Sequence, residues 1–406
     1  MDKSLENKKS IEYSKIIVIC AFILNFASNY PQYQISPLAH LIMPELNLNV
    51  AQFSSLFSAA MIPGILLGIV SGILCDKYGT KICIGIAGIV SLVGVVTRIF
   101  ATSYTSLFVC MVTSGIVTSF FNSNVAKIMG NWFPPNKIGT GVGMAMAGAT
   151  AAMAIAMSTT AMFSSLRIAY TLAAVLSCIS IIVWFVFMKD SPKATTHNPE
   201  FEMAKTSIKE GLKIVAGNKN IWIIGMCAGL TLASSMCINT FMPQALQINR
   251  GFDAVSAGQT SSMVMFGNLV GAILGPVICS KIGKIRPYFL IFSIIAAIGT
   301  ALAWQAPVGV LLSTCLFIVG IVSSGMISQF VSIPVMLSGI GPTLAGVAGG
   351  MVGTIQLVGA VVVPSYIVAP IIGDNFILLF IIAGALVLGA GLLALTLPEV
   401  LSKQVK

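Results

Sequence analysis

The stretch GILCDKYGTK, Gly72 to Lys81, places one carboxylate, Asp76, beside Lys77 and Lys81, between glycines and between two long apolar runs. Two further cations, Arg98 and Lys127, stand inside apolar runs. No Asp or Glu stands well inside one; Asp76, Glu45, Asp253 and Asp374 fall at ends or in loops. A cation in apolar surroundings is costly unless it meets an anion, a carbonyl or water. The chemistry open to these residues is charge recognition, and the missing anion could be a solute. Neutral groups add to it. Asn25, Asn29, Gln32 and Ser36 recur at spacings of 4, 3 and 4, which places them on one helix face, with Tyr30, Tyr33 and Gln34 nearby. Asn124, Lys127 and Asn131 follow a similar spacing, and Ser235, Asn239, Ser324, Ser328, Gln329, Gln356 and Tyr366 extend the set. Such groups must meet water, a solute or one another; for any single Asn or Ser the alternative is a bond to a neighbouring helix.

Other chemistries find no constellation. There is no HExxH, no GxSxG and no Walker loop, so neither an enzyme nor an ATP-driven pump is expected, and no cofactor. The nine cysteines form no CxxC pair and read as small hydrophobes.

The elements that hold these residues follow from composition. Of 406 residues, 57% are hydrophobic and 8% charged, against about 25% charged in soluble domains. A bilayer hides such a surface at about 20 apolar residues per helix. Continuous rather than alternating runs exclude a β-barrel. Twelve helices are predicted, near 15–38, 52–74, 81–101, 106–130, 139–163, 168–188, 220–242, 257–280, 287–304, 308–336, 343–370 and 375–397. With a cytoplasmic N-terminus, eighteen Lys and Arg fall in inner segments and two, Arg167 and Arg250, in outer loops. This bias fixes the orientation and accounts for the net charge of +10 without a nucleic-acid partner. The polar segment 189–219 divides the chain into a bundle over 1–188 and a second over 220–406, and holds an amphipathic stretch, Phe201 to Val215.

The two halves repeat. Gly115-Ile116-Val117-Thr118-Ser119 matches Gly320-Ile321-Val322-Ser323-Ser324, and Gly141-Val142 matches Gly346-Val347, both 205 residues apart. Ala27, Ser28 and Pro37 match Ala233, Ser234 and Pro243 at 206; Lys77 and Gly79 match Lys281 and Gly283 at 204. Duplicated six-helix halves are typical of carriers that rock about a central site.

On these residues the chain resembles the major facilitator superfamily. Gly72, Leu74, Asp76, Lys77, Gly79 and Lys81 match its loop motif GxLxDrxGrk; Thr80 departs from it, and the second copy is degraded at Pro276 and Ser280. The resemblance implies an all-α membrane protein of twelve helices in two pseudo-symmetric halves, with helices 1, 4, 7 and 10 lining a cavity. It also implies that Asp76 meets the N-terminus of helix 11, where an anion is favoured by about 0.3–1 kcal/mol. Thr343 is the expected cap there. Gly72, Asp76, Lys77, Gly79 and Lys81 then form a conformational latch. Asn29, Gln32, Tyr33, Asn124, Lys127, Asn239, Gln329 and Gln356 are the expected substrate-binding residues.

Two readings stand for Lys127, solute contact or snorkelling to the interface near Trp132, and three for Arg98, solute contact, snorkelling or a structural bond. Arg167 is expected to cap or anchor helix 6, and His40 to sit in the solvated interface. Gly139, Gly143, Gly148, Gly346, Gly349, Gly350 and Gly353 are expected to allow close helix contact.

The expectation is a secondary or facilitative transporter of a small, carboxylate-like anion by alternating access, monomeric and multi-pass in a bacterial inner membrane. In layout and in WFPPNK after helix 4, it is similar to the oxalate/formate antiporter and cyanate or nitrate porter branches, without the basic pair an oxalate exchanger carries on helices 8 and 11. The alternatives are an exporter of hydrophobic compounds and a non-transporting membrane sensor.

Overall fold

A computed structural model describes residues 3–133, 138–189, 211–337, 340–373 and 375–400; they are helical or lie in the turns between helices, with no strand among them. Twelve helices in this set are long and apolar enough to cross a bilayer: Tyr13–Tyr33, Val50–Gly68, Thr80–Phe100, Tyr104–Trp132, Thr140–Met162, Leu166–Phe187, Lys219–Arg250, Ala254–Ile282, Ile285–Gln305, Val310–Ser332, Val347–Ile372 and Phe376–Ala394. They fall in the order of the twelve predicted runs, and are called spans 1 to 12 below. Lipid-facing surfaces are apolar at helical spacing, as at Ile82, Ile86, Ile89 and Val93 on span 3.

Prolines and glycines set the breaks. The first helix, Lys3–Tyr33, holds Pro31 in its last turn, and residues 34–38 form turns before a short helix, Ala39–Glu45. The predicted run to residue 38 therefore ends five residues early. Pro31 has no N–H to give the Ala27 carbonyl; the Ser177 hydroxyl lies 3.5 Å from that oxygen. Span 2 breaks after Val50–Ala59 and resumes at Ile62–Tyr78, with Pro63 in the new first turn. Beside that break lies Gly115, where a Cβ would stand 1.9 Å from the Ala60 carbonyl oxygen.

Caps are local and polar. Ser103 and Ser106 form a capping box, and Ser165, Asn218, Asp253 and Asn375 cap later helices. Ser256, through its hydroxyl and its N–H, and the Val255 N–H hold the Asp253 carboxyl below the usual carboxylate range. Two expected caps are corrected. Arg167 is exposed one residue inside a helix that Ser165 caps. Thr343 lies inside a helix that starts at Gly341, with Pro342 in its first turn; proline is suited to that position and moves the start upstream. Of the expected amphipathic stretch, residues 201–210 lie outside the described set, and Val215 is buried in a helix over 211–217.

The chain forms two compact units. One comprises Met1–Ile35, Ala59–Ala156 and Phe163–Asn198; the other comprises Ser36–Ser58, Met157–Met162 and Pro199–Lys406. In the first, Phe121 meets Trp184 edge-on at 6.4 Å, among Ile17, Leu24, Ile84 and Ile128. In the second, Phe289 stacks on Phe330 at 4.1 Å, beside Tyr288 and Phe292.

Helix association in lipid lacks a hydrophobic drive and relies on close contact. Span 8 supplies it in the second unit. Its Gly267, Gly271 and Gly275 lie against the backbone of Phe317, Ile321 and Gly325 on span 10, and Gly320 lies against Val264. Of the glycines expected to do this, Gly148 does, with the Phe22 carbonyl 2.3 Å from where its Cβ would be. Gly143, Gly349, Gly350 and Gly353 face open space; on span 11 the close approach falls at Gly359, against Gly229.

Candidate functional site

In the first unit the loop motif is built by its last glycine. Gly79 adopts φ 88°, which side-chain-bearing residues avoid, and its N–H closes the preceding helix on the Cys75 carbonyl at 3.2 Å. Gly72 faces open space. Lys77 lies 5.0 Å from the Tyr78 ring centroid, and the Lys81 carbonyl accepts from the Trp184 indole at 3.0 Å.

Asp76 does not stand alone. Its Oδ1 lies 2.5 Å from Lys127 Nζ, which also donates to the Cys75 carbonyl at 3.1 Å. This corrects the expectation of an unpartnered cation at Lys127. The carboxylate ends span 2's helix and the lysine stands five residues before the end of span 4, so a four-carbon stem reaches across. Both side chains remain partly solvated, at 36% and 57% of full exposure.

Arg98 is buried and structurally engaged. Nη1 donates to the Pro31 carbonyl at 2.9 Å, Nη2 to Gln34 Oε1 at 2.5 Å, and the guanidinium lies 4.3 Å from the Tyr170 ring centroid.

The amides of span 1 pair with one another. Asn25 donates to the Ala145 carbonyl at 3.1 Å, and Asn29 donates to the Asn25 carbonyl and to Asn25 Oδ1 at 2.8 and 3.0 Å. Gln32 and Tyr33 are buried at the helix end. On span 4, Asn124 is buried and donates back to the Phe120 carbonyl at 2.9 Å, so it is engaged by its own helix. The exposed face of that span carries Asn122, Ser123 and Ala126, with Lys127 half-buried beside them. Sequence spacing missed Asn122. In NSNVAK, residues 122–127, the register with Lys127 and Asn131 favoured Asn124, and nothing in the spacing separates the two faces.

In the second unit Asn239 is buried and its Oδ1 has no partner. Gln329 is buried too, 205 residues after Asn124, the repeat offset. Gln356 is half-buried, its backbone 3.7 Å from where a Gly229 Cβ would be. Three hydroxyl contacts join segment 36–58 to spans 7 and 11. Ser36 donates to the Thr240 carbonyl at 2.7 Å, and Ser365 lies 3.1 Å from Ser54 and 2.8 Å from Ser58. Ser365 sits in a π-helical turn, Val363–Val368, that opens with Pro364 in its first turn. Such insertions re-aim side chains. Among the described residues no cluster of three or more His, Cys, Asp or Glu could hold a metal ion.

The expected binding residues thus fall in both units: Asn29, Gln32, Tyr33, Asn124 and Lys127 in the first, Asn239, Gln329 and Gln356 in the second. The arrangement supplies amide and hydroxyl donors within apolar spans, which suits polar-solute recognition rather than bond chemistry.

The chain is 24% identical to a probable sulfoacetate transporter of Cupriavidus necator, over 95% of this chain and 94% of that one. It is 22% identical to a hexuronate transporter of Bacillus subtilis, over 49% of this chain and about half (48%) of that relative's length. Against a probable nitrate/nitrite transporter of Mycobacterium tuberculosis it is 23% identical, covering 70% and 72%. Among solved structures, a D-xylose-proton symporter shares the fold at TM-score 0.76 and 16% identity, covering 96% of this chain and 99% of that one. A nucleoside transporter does so at 0.74 and 15%, covering 93% and 98%. A family profile matches residues 17–364, and with the twelve spans and the loop motif already in place the chain belongs to the Major Facilitator Superfamily, as a multi-pass membrane transporter.

Proposed function

We propose that this transporter moves a small anionic solute, carboxylate- or oxyanion-like, by alternating access between two six-helix halves, 1–188 and 220–406. The observation that carries the reading is the common charge of the cargo named for its relatives: sulfoacetate, hexuronate and nitrate or nitrite. The solute is recognised by neutral donors, Asn29, Gln32, Tyr33 and Asn122 in the first unit and Asn239, Gln329 and Gln356 in the second. Lys127, being held by Asp76, serves the loop rather than the cargo. Asp76 moves between Lys127 and the start of helix 11 as the latch with Gly72, Lys77, Gly79 and Lys81. With no acid well inside a span to carry a proton, exchange or movement driven by the solute's own charge is favoured. The positive-inside bias supports a reading in which both termini face the cytoplasm, with a bacterial inner membrane as the membrane crossed.

Purified carrier in proteoliposomes, offered radiolabelled sulfoacetate, glucuronate and nitrate, tests this. Saturable uptake of one of them, stimulated by the same anion trapped inside, is expected. Movement of hydrophobic dyes with none of the three anions would favour the exporter reading instead. Strong accumulation driven by an imposed pH gradient would overturn the coupling.

A further inference from the structure

Arg98 is 1% exposed, and the groups that its guanidinium meets are not carboxylates. Its guanidinium ends on three groups of partial negative charge: the Pro31 carbonyl, Gln34 Oε1 and the face of Tyr170. Its Nε has no partner. None of these cancels a unit charge.

The acceptors are arranged by the break in span 1. The helix stops at Tyr33, so carbonyls of its last turn need donors from elsewhere, and Arg98 serves Pro31. Gln34 is aimed from its other end, because Nε2 donates to the Ala169 carbonyl at 3.0 Å. Between the two residues that Arg98 holds stand Gln32 and Tyr33.

A neutral side chain could tie these acceptors. A buried Gln or Asn offers two N–H donors with no charge to desolvate. Keeping a full charge here costs more, and an uncancelled charge acts over several ångströms where the dielectric is low. We propose that Arg98 is a specificity-determining residue: held by Pro31, Gln34 and Tyr170, it sets a positive field at the Gln32–Tyr33 segment that makes the carrier select anionic over neutral solutes. This rests on the reading that the cargo is an anion.

Three variants separate charge from geometry. Gln34→Glu cancels the charge and keeps the acceptor toward Arg98, at the loss of the Nε2 bond to the Ala169 carbonyl. Arg98→Gln removes the charge and keeps donors. Arg98→Lys keeps the charge and loses the planar fork. KM and maximal rate are measured in proteoliposomes for sulfoacetate, glucuronate and nitrate, per amount of folded carrier judged by thermal midpoint and gel filtration. Gln34→Glu and Arg98→Gln should raise KM for the transported anion roughly tenfold, the size a unit charge about 10 Å away produces at an effective dielectric near ~20. Arg98→Lys should stay near the wild-type KM.

A wild-type KM in Gln34→Glu overturns the proposal, as does an Arg98→Lys loss equal to that of Arg98→Gln. If the wild-type carrier moves none of the three anions, the anion reading fails and this inference with it. If it moves one and Gln34→Glu leaves its KM unchanged, this inference fails alone.

Discussion

Lys127 Nζ lies 2.5 Å from Asp76 Oδ1, so the loop motif is tied to span 4 inside the first unit. The pair is partly solvated, and such pairs contribute about 0.2–1 kcal/mol. Asp76→Asn and Lys127→Ala should therefore lower stability slightly. On the proposed latch, transport should suffer more, because the loop then loses one of its two resting positions. The swap Asp76→Lys with Lys127→Asp should restore part of the rate. A double-mutant cycle on uptake checks this. Equal losses in Lys127→Ala with and without Asp76→Asn would show that Lys127 acts apart from the loop.

Glycines on span 8 and span 10 set how close those helices come. A Cβ at Gly320 would stand 2.1 Å from the Val264 carbonyl oxygen, which is fixed backbone. Gly320→Ala should destabilise the protein by about 1–3 kcal/mol. Gly349→Ala meets nothing within 4 Å and should be neutral or slightly stabilising, since alanine favours the helix. Thermal midpoints in one detergent read both; a harmless Gly320→Ala would mean the helices slide apart freely.

Span number, order and approximate limits were legible because apolar runs and polar breaks report the solvent directly. The loop motif was legible because Gly79 leaves a fixed signature in the residue types around it. Side-chain partners were less so. Asp76 reads as a loop end, and its bond to Lys127 depends on which helix ends lie side by side, 51 residues apart in sequence. The close contacts at Gly267 and Gly271 were missed for the same reason: a glycine on a helix does not say which neighbour arrives. Arg98 shows the reverse. Its structural bonds were one of three expected readings, but that Pro31 and Gln34 would be the acceptors depends on where span 1 stops being helical.

Asn122 and Asn124 are two residues apart and face different surroundings. Asn124 is buried and bonded to its own helix, whereas Asn122 is exposed on a membrane-spanning helix, where an amide gains only if it meets water or solute. Asn122→Ala should raise KM for the transported anion and leave the thermal midpoint near wild type. Asn124→Ala should lower the amount of folded protein with KM unchanged. The opposite pattern would put Asn124 back in the binding set.

Ser54 and Ser365 are 311 residues apart in sequence, and their hydroxyl oxygens are 3.1 Å apart in the second unit. Segment 36–58 belongs by sequence to the first half of the chain, yet it is held here by spans 7 and 11 through Ser36, Ser54 and Ser58. If the halves exchange positions during transport, that contact must open once per cycle. Hydroxyl bonds suit this, since each contributes only about 0.5–1.5 kcal/mol net. A covalent bond does not. Ser54→Cys with Ser365→Cys should form a disulfide on mild oxidation, as two thiols at this separation can reach bonding distance with small side-chain rotations. Uptake should stop when the bond forms and return on reduction with dithiothreitol, while either single variant transports throughout. Full uptake by the oxidised double variant, with the cross-link confirmed by mass spectrometry, would show that this contact stays closed and that the moving seam lies elsewhere.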